Sequence, residues 1–302
     1  MSTVVYIGAV GRSGTTLLER TLSTSPSYVA LGEMVHLWDR GVVDHEPCGC
    51  TKSFDECEFW SEVGRRAFGG WQHVDLEQVR SDRRRVDRNR YIPWLIAPAL
   101  APASFRDARR RLLTILDDLY RAIGELTDDA VLIDSSKHPS YLFLLRSVPS
   151  HDVRLLHVVR DPRGVAHSWA KQVARPESGA SMEQLSTGRA IGRWTSHNVL
   201  LQLAPLAKVR RRRISYGRFV ADPSVVGTIA DDLTDHHGTE PLEVERTTVT
   251  LGCDHTVSGN PSRFRTGPIE VRPDDAWRNS MPSRKQKVVG ALTTPLRQVY
   301  CR

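Results

Sequence analysis

The chain has 302 residues, 25% of them charged and 40% hydrophobic, which is ordinary for a globular protein and enough for one large α/β domain or two small ones. No apolar run reaches the ~18 residues that a membrane-spanning helix needs. A strand begins almost at the N-terminus, so no secretory signal is expected and the cytoplasm is the expected location. The net charge of +7 admits nucleic acid, a small polyanionic cofactor or simple solvation as its origin.

Val4, Val5, Tyr6 and Ile7 form a β-branched and aromatic run that predicts a fully buried strand. A turn of small residues, Gly11-Arg12-Ser13-Gly14, leads into Thr15-Thr16-Leu17-Leu18, where a helix opens with its apolar positions on one face. Strand, Gly-rich turn and helix start together make an anion site, because free N–H groups and the positive end of the helix converge there. Ser13, Thr15 and Thr16 add hydroxyl donors and Arg12 adds a full charge.

Tyr28 to Leu31 predicts a second strand, followed by Gly32-Glu33 and a helix carrying Met34, Val35, Leu37 and Trp38. From Gly41 to about Pro102 the periodicity is lost. This stretch holds Cys48, Cys50 and Cys57 beside His45, the aromatics Trp60, Trp71, Tyr91 and Trp94, and a basic segment from Arg83 to Arg90. It is expected to be an irregular insertion, residues 43–102, forming a lid over an acceptor site within a single domain of residues 1–302. Its aromatics suit either an acceptor pocket or a small core of its own. Cys-x-Cys is not the usual zinc spacing, so ordinary thiols come first and no metal is assigned.

Leu112, Leu116, Leu119, Ile123 and Leu126 mark an amphipathic helix over about Phe105 to Leu126. Val131-Leu132-Ile133 is a buried strand running into Asp134-Ser135-Ser136-Lys137, with a helix after Pro139. Leu155 to Val159 is another, ending at Arg160-Asp161-Pro162 and opening a helix through Trp169. Further helices are expected over Met182 to Val209, Pro223 to Leu233 and Arg284 to Tyr300, with a strand at Arg213 to Tyr216. Alternation of this kind predicts an α/β fold, a parallel sheet flanked by helices on both faces, with ligands at the carboxyl ends of its strands. Arg12, Glu33, Lys137 and Arg160 each lie just past a predicted strand end and should converge.

A nucleoside-triphosphatase loop reads G-x-x-x-x-G-K-[ST]. Aligning its second Gly with Gly14 puts Ala9 at the first Gly and Thr15 at the Lys, which argues against triphosphate hydrolysis. The P-loop-type turn with its cation at Arg12 instead resembles the 5′-phosphosulfate loop of sulfotransferases that use 3′-phosphoadenosine-5′-phosphosulfate (PAPS). Arg160-Asp161-Pro162, with Ser168 on the following helix, resembles the 3′-phosphate motif of that family. Asp134 to Lys137, and His255 to Arg263 followed by Asp274, Asp275 and Trp277, are similar to segments of its bacterial members.

The resemblance implies a transferase moving the sulfuryl group of PAPS to a hydroxyl of a small molecule, lipid or glycan, with no metal required. It implies that Arg160 and Ser168 bind the 3′-phosphate and that Gly259, Asn260 and Arg263 contact it from a late loop. Glu33 is the expected base, with His36 as the competitor. Arg12 is expected to stabilise the bridging oxygen, and Lys137 either assists or pairs with a carboxylate. The alternatives are a P-loop kinase and a nucleic-acid-binding module. The Arg83–Arg90 and Arg210–Arg213 patches lack interleaved aromatics, so no nucleic-acid partner is expected.

Overall fold

The computed structural model describes residues 2–172, 183–235 and 241–300. A parallel sheet forms its centre, in the order β2-β3-β1-β4-β5. The strands are β1 (Ser2–Gly8), β2 (Tyr28–Gly32), β3 (Val131–Lys137), β4 (His151–Val159) and β5 (Arg211–Ser215). β1 is flanked on both edges, with Val4 opposite Leu132 of β3 and Val153 of β4. That central position explains its unbroken apolar run. Side chains alternate across a strand, so Val4 and Tyr6 enter one core while Val5 and Ile7 enter the other. Each fully buried Val, Leu or Ile stabilises the fold by ~1.5–3 kcal/mol.

The two cores belong to different helices. Val5 and Ile7 pack with Leu18 and Leu22 of α1 (Thr15–Leu22) and with Val226 and Ala230 of a late helix. Tyr6 and Leu155 share the opposite core with Leu112, Leu116 and Leu119 of the long helix that spans Ala103–Leu126. The predicted apolar spacing in that helix is the buried face observed.

The 43–102 insertion is more regular than its sequence suggests. It contains α2 (Glu58–Phe68), α3 (Leu76–Val86) and a short α4 (Ile92–Ile96), so the long helix is α5. Three Arg residues crowd the last turn of α3, which buries only Val79, Asp82 and Val86, too few apolar positions to show a period. Trp60 and Val63 of α2 join the same core as Tyr6 and Leu155. The predicted helix after Glu33 is instead a 3₁₀ turn, Met34–His36, followed by a π-helical stretch, Leu37–Val43.

The remaining helices are α6 (Pro139–Leu145), α7 (Pro162–Ala170), α8 (Thr187–Gln202), α9 (Tyr216–Ala221), α10 (Val225–Thr234), α11 (Ala276–Ser280) and α12 (Ser283–Tyr300). Met182, the expected start of α8, lies outside the described residues. A small antiparallel sheet of β6 (Val244–Glu245), β7 (Thr248–Leu251) and β8 (Gly267–Glu270) lies on either side of the late loop that holds His255 to Arg263. No helix among the described residues is long and apolar enough to cross a membrane.

One buried carboxyl group ties α1 to two strands. The backbone N–H of Gly32, which closes β2, donates to Glu19 Oε1 at 2.6 Å, and Ser135 Oγ of β3 donates to Oε2 at 2.5 Å. Burial outweighs both hydrogen bonds and raises the Glu19 pKa to about 8. Between about pH 4.5 and 8 the folded chain therefore keeps a proton that the unfolded chain has lost, and stability falls as pH rises. Glu19→Gln keeps an acceptor for Gly32 and a partner for Ser135 but cannot ionise. The melting temperature of Glu19→Gln relative to wild type should rise steadily from about pH 5 to 8; a constant difference would mean an ordinary carboxyl pKa.

Candidate active site

The carboxyl ends of β1 to β4 open into a cleft of about 630 Å³. Arg12 follows β1, Glu33 follows β2, Lys137 ends β3 and Arg160 follows β4, and all four line it. The order of the strands brings together residues as far apart in sequence as Arg12 and Arg160.

The turn after β1 is shaped by its backbone. Gly14 has φ 77°, and a Cβ there would stand 2.8 Å from the Tyr216 ring. Arg12 (φ 72°) and Lys137 (φ 69°) occupy the same left-handed region without being glycine, at a cost of order 1–3 kcal/mol each. Two cations of the cleft are thus held in a strained conformation by their surroundings. Gly14 at the N-cap supplies no side-chain cap to α1, so among the described residues its first N–H groups, next to Gly14, Thr15, Thr16 and Leu17 in the cleft wall, can meet an anion. Ser13 sits behind them, buried, and its hydroxyl has no partner among the described residues.

Glu33 lies at the centre of a charged group. Lys137 Nζ donates to its Oε1 at 2.5 Å, and His36 Nε2 stands 3.5 Å from Oε2. Burial opposes the ionised form, but Lys137 and then His36 draw the Glu33 pKa down to about 2. Burial likewise depresses His36 to about 3, against the pull of Glu33. His36 is therefore neutral near pH 7, and its approach to Glu33 is not an ion pair. Lys137 is thus ion-paired with Glu33 while it lines the cleft.

Arg160 is held from three sides. It donates to the carbonyl of Arg12 at 2.8 Å and to the carbonyl and carboxylate of Asp274, both at 2.9 Å, and it lies 4.5 Å over the Tyr216 ring. Trp277, in the same segment, packs under Arg163 at 4.3 Å. Ser168 of α7 faces the same cleft as Arg12, as do Gly259 and Asn260 of the late loop. The Asn260 N–H donates to Thr16 Oγ1 at 3.4 Å, so that loop abuts the start of α1. Arg263 does not join them. Its guanidinium is fully buried and donates to the carbonyls of Thr256 and Pro47, at 2.8 and 2.7 Å, so it braces the loop instead of facing a ligand.

Several residues in the cleft were not legible as site residues. Trp169, next to Ser168, donates to the Gly11 carbonyl at 3.1 Å and carries Arg12 at 5.5 Å and Arg193 at 5.1 Å from its ring. Arg193 and His197 stand one turn apart on α8, a spacing that could have signalled a shared face. Asn89 enters from the insertion, and a second cavity, of about 590 Å³, shares Asn89 and His138 with the cleft. The insertion's tryptophans do not face the cleft: Trp60 and Trp71 pack with Phe54, and Trp94 stacks on Tyr91. The basic patches are internally matched, with Arg83 beside Asp39 and Asp87, and Arg210 beside Asp232 and Asp235.

Residues 5–231 match the sequence pattern of the sulfotransferase family. The chain belongs to that family. Among solved structures, the sulfotransferase domain of the Synechococcus PCC 7002 olefin synthase matches at 19% identity and a TM-score of 0.52, covering 98% of this chain and 94% of that domain. Sulfotransferase STF9 from Mycobacterium avium matches at 14% identity and a TM-score of 0.44, over 99% of this chain and 77% of that one. The former likeness is one of fold, a parallel five-stranded sheet with flanking helices. No curated protein sequence matches the chain.

In this sulfotransferase the imidazoles at the cleft are neutral. Burial lowers His36 to about 3 and His197 to about 4. Their ring proton resonances should therefore stay unshifted by NMR between about pH 5 and 8, and a midpoint near the ordinary value of about 6.5 in either would show that it is not desolvated.

Proposed function

We propose that the protein transfers the sulfuryl group of PAPS, in line, to a hydroxyl of a small-molecule, lipid or glycan acceptor. One observation carries this reading above the others: the open start of α1 and the Arg160/Ser168 pair, two anion-holding groups from distant parts of the chain, line a single cleft. Five cations and three carboxylates face that cleft, leaving it positive. Its volume of about 630 Å³ lies within the range of ~300–1,000 Å³ usual for ligand pockets.

PAPS supplies an activated sulfuryl group on its 5′-phosphate. The N–H groups of α1, with Ser13, Gly14, Thr15 and Thr16, hold the 5′ end of the nucleotide; the orphaned Ser13 hydroxyl and the absence of a side-chain cap on α1 suit that role. Arg160 and Ser168 hold the 3′-phosphate, with Gly259 and Asn260 beside them. Arg12 and Lys137 face the charge that gathers on the bridging oxygen as the bond to sulfur breaks.

Glu33 takes the proton of the acceptor hydroxyl. In the free protein Lys137 keeps it ionised but weakly basic, at a pKa of about 2. A lysine drawn toward an incoming sulfonate no longer shields Glu33, whose basicity then rises toward the ordinary carboxylate range. Proton acceptance is thereby confined to the loaded enzyme. The insertion, which contributes Asn89 to the cleft and lines the adjoining cavity, forms the lid on the acceptor side.

Adenosine 3′,5′-bisphosphate should raise the melting temperature, since a ligand at 100 times its Kd adds ~2.7 kcal/mol, whereas ATP with magnesium should do so less. A larger shift with ATP would favour the kinase reading. Incubation with PAPS and a panel of hydroxyl acceptors should yield sulfated product.

Two variants separate the roles. Arg160→Ala should chiefly raise KM for PAPS, because its charge meets a phosphate that does not react. Glu33→Ala should chiefly lower kcat, by ~10²–10⁴-fold. Full turnover by Glu33→Ala would remove it as the base.

A further inference from the structure

Away from the cleft, three cysteines of the insertion meet one histidine of the late loop. Cys57 Sγ lies 3.6 Å from Cys48 Sγ and 3.7 Å from Cys50 Sγ. His255 Nδ1 lies 3.7 Å from Cys48 Sγ and 3.3 Å from Cys57 Sγ. All four ligand atoms fall within 4.8 Å of one another. His45, the histidine nearest in sequence, turns away to Asp55 at 3.5 Å.

These four separations match the edges of a coordination tetrahedron. With metal–sulfur bonds of about 2.3 Å and metal–nitrogen bonds of about 2.0–2.1 Å, two sulfurs stand about 3.8 Å apart and a sulfur and a nitrogen about 3.6 Å. A disulfide would bring two sulfurs to about 2.05 Å and leave the third thiol unmatched. A hydrogen-bonded imidazole would favour one sulfur, whereas His255 presents one nitrogen to two.

We propose that Cys48, Cys50, Cys57 and His255 bind a structural zinc ion that fastens the insertion to the late loop. Three thiolates and an imidazole in a tetrahedral set suit zinc. Four protein ligands leave no open position for chemistry, and none of the four lines the cleft. The zinc is therefore separate from sulfuryl transfer.

The surroundings hold the ligands in place before any ion arrives. Cys57 precedes α2, an eleven-residue helix whose positive end favours a thiolate. The His255 ring stacks on Phe59 at 4.9 Å with planes 8° apart, and Trp60 Nε1 donates to the His255 carbonyl at 2.8 Å. Between the first two cysteines, the Gly49 N–H donates to the Thr256 carbonyl at 3.0 Å. A Cβ on Gly49 would lie 2.2 Å from Asp254 Oδ1 and 2.6 Å from Thr256 Oγ1, so the two loops meet with no room for a side chain.

Wild-type protein purified without chelator and desalted should carry about one zinc per chain by mass spectrometry of the metal. Cys57→Ser and His255→Ala should lose it, while Cys253→Ser, whose thiol is exposed and outside the cluster, should keep it. If the first two variants do not fold, a thiol-blocking mercurial added to wild type should release the zinc to a colorimetric chelator. Wild type without zinc, a Cys57→Ser protein that retains it, or a disulfide among these cysteines in the unreduced wild type would each overturn the proposal. Metal content is read with no substrate present, so neither result bears on the sulfuryl-transfer reading.

Discussion

Like charges gathered in a partly buried cleft repel one another, and this chain gathers five of them. Arg12, Arg40, Lys137, Arg160 and Arg193 all face the space at the carboxyl edge of the sheet. Much of the surrounding structure answers that constraint. Glu33 neutralises Lys137, and Asp274 neutralises Arg160. Trp169 offers its ring to both Arg12 and Arg193, and Tyr216 offers its ring to Arg160. The imidazoles of His36 and His197, which would add to the repulsion if charged, are kept neutral by burial. The five cations of the wall outnumber its three carboxylates, a balance that suits an anionic ligand.

The scaffold that holds these charges is itself partly polar. Glu19 joins α1 to the ends of β2 and β3, so the helix start that faces the anion and the strand end that presents Glu33 are fixed to one carboxyl group. Beneath them, Tyr120 donates to Asp134 at 2.6 Å, and the Val35 N–H donates to Ser136 Oγ at 2.9 Å. Buried polar groups in such a network are stabilising only when each is satisfied. A loss at any one of them would move the strand ends and the cleft with them.

How much of this was legible depends on how local the cause was. β1, β3 and β4 are flanked by other strands and covered on both faces, so their runs of Val, Leu and Ile were unmistakable. α5 needs one broad apolar face and shows it at Leu112, Leu116 and Leu119. The anion turn was legible because Gly14 and the helix start are neighbours in sequence. α3 was not, since its stability comes from packing on α5 and from pairs such as Arg111 with Asp82, which joins residues of two helices. The strands β6 and β7 are only two and four residues long, and tertiary contact overrides propensity in such pieces. Arg263 looked like a ligand-binding cation and is a buried brace, because nothing local reveals which carbonyls a guanidinium will reach.

The cysteines illustrate the same limit most sharply, because three of the four groups were visible together while the fourth lies 198 residues beyond Cys57. The late loop that supplies His255 is too polar to be held by a core of its own. Two residues past His255, the Val257 N–H donates to the Leu31 carbonyl at 2.9 Å, and the Glu33 N–H donates to the Ser258 carbonyl at 3.3 Å. Asn260 then reaches Thr16. The segment thus runs from the metal cluster, past the backbone of Glu33, to the start of α1 within six residues. An ion bound by Cys48, Cys50, Cys57 and His255 would anchor one end of that segment, and the order of its other end would follow. Chemistry in the cleft and coordination outside it are then linked through hydrogen bonds of one loop, two of them between backbones and one to the Thr16 hydroxyl, with no ligand shared between them.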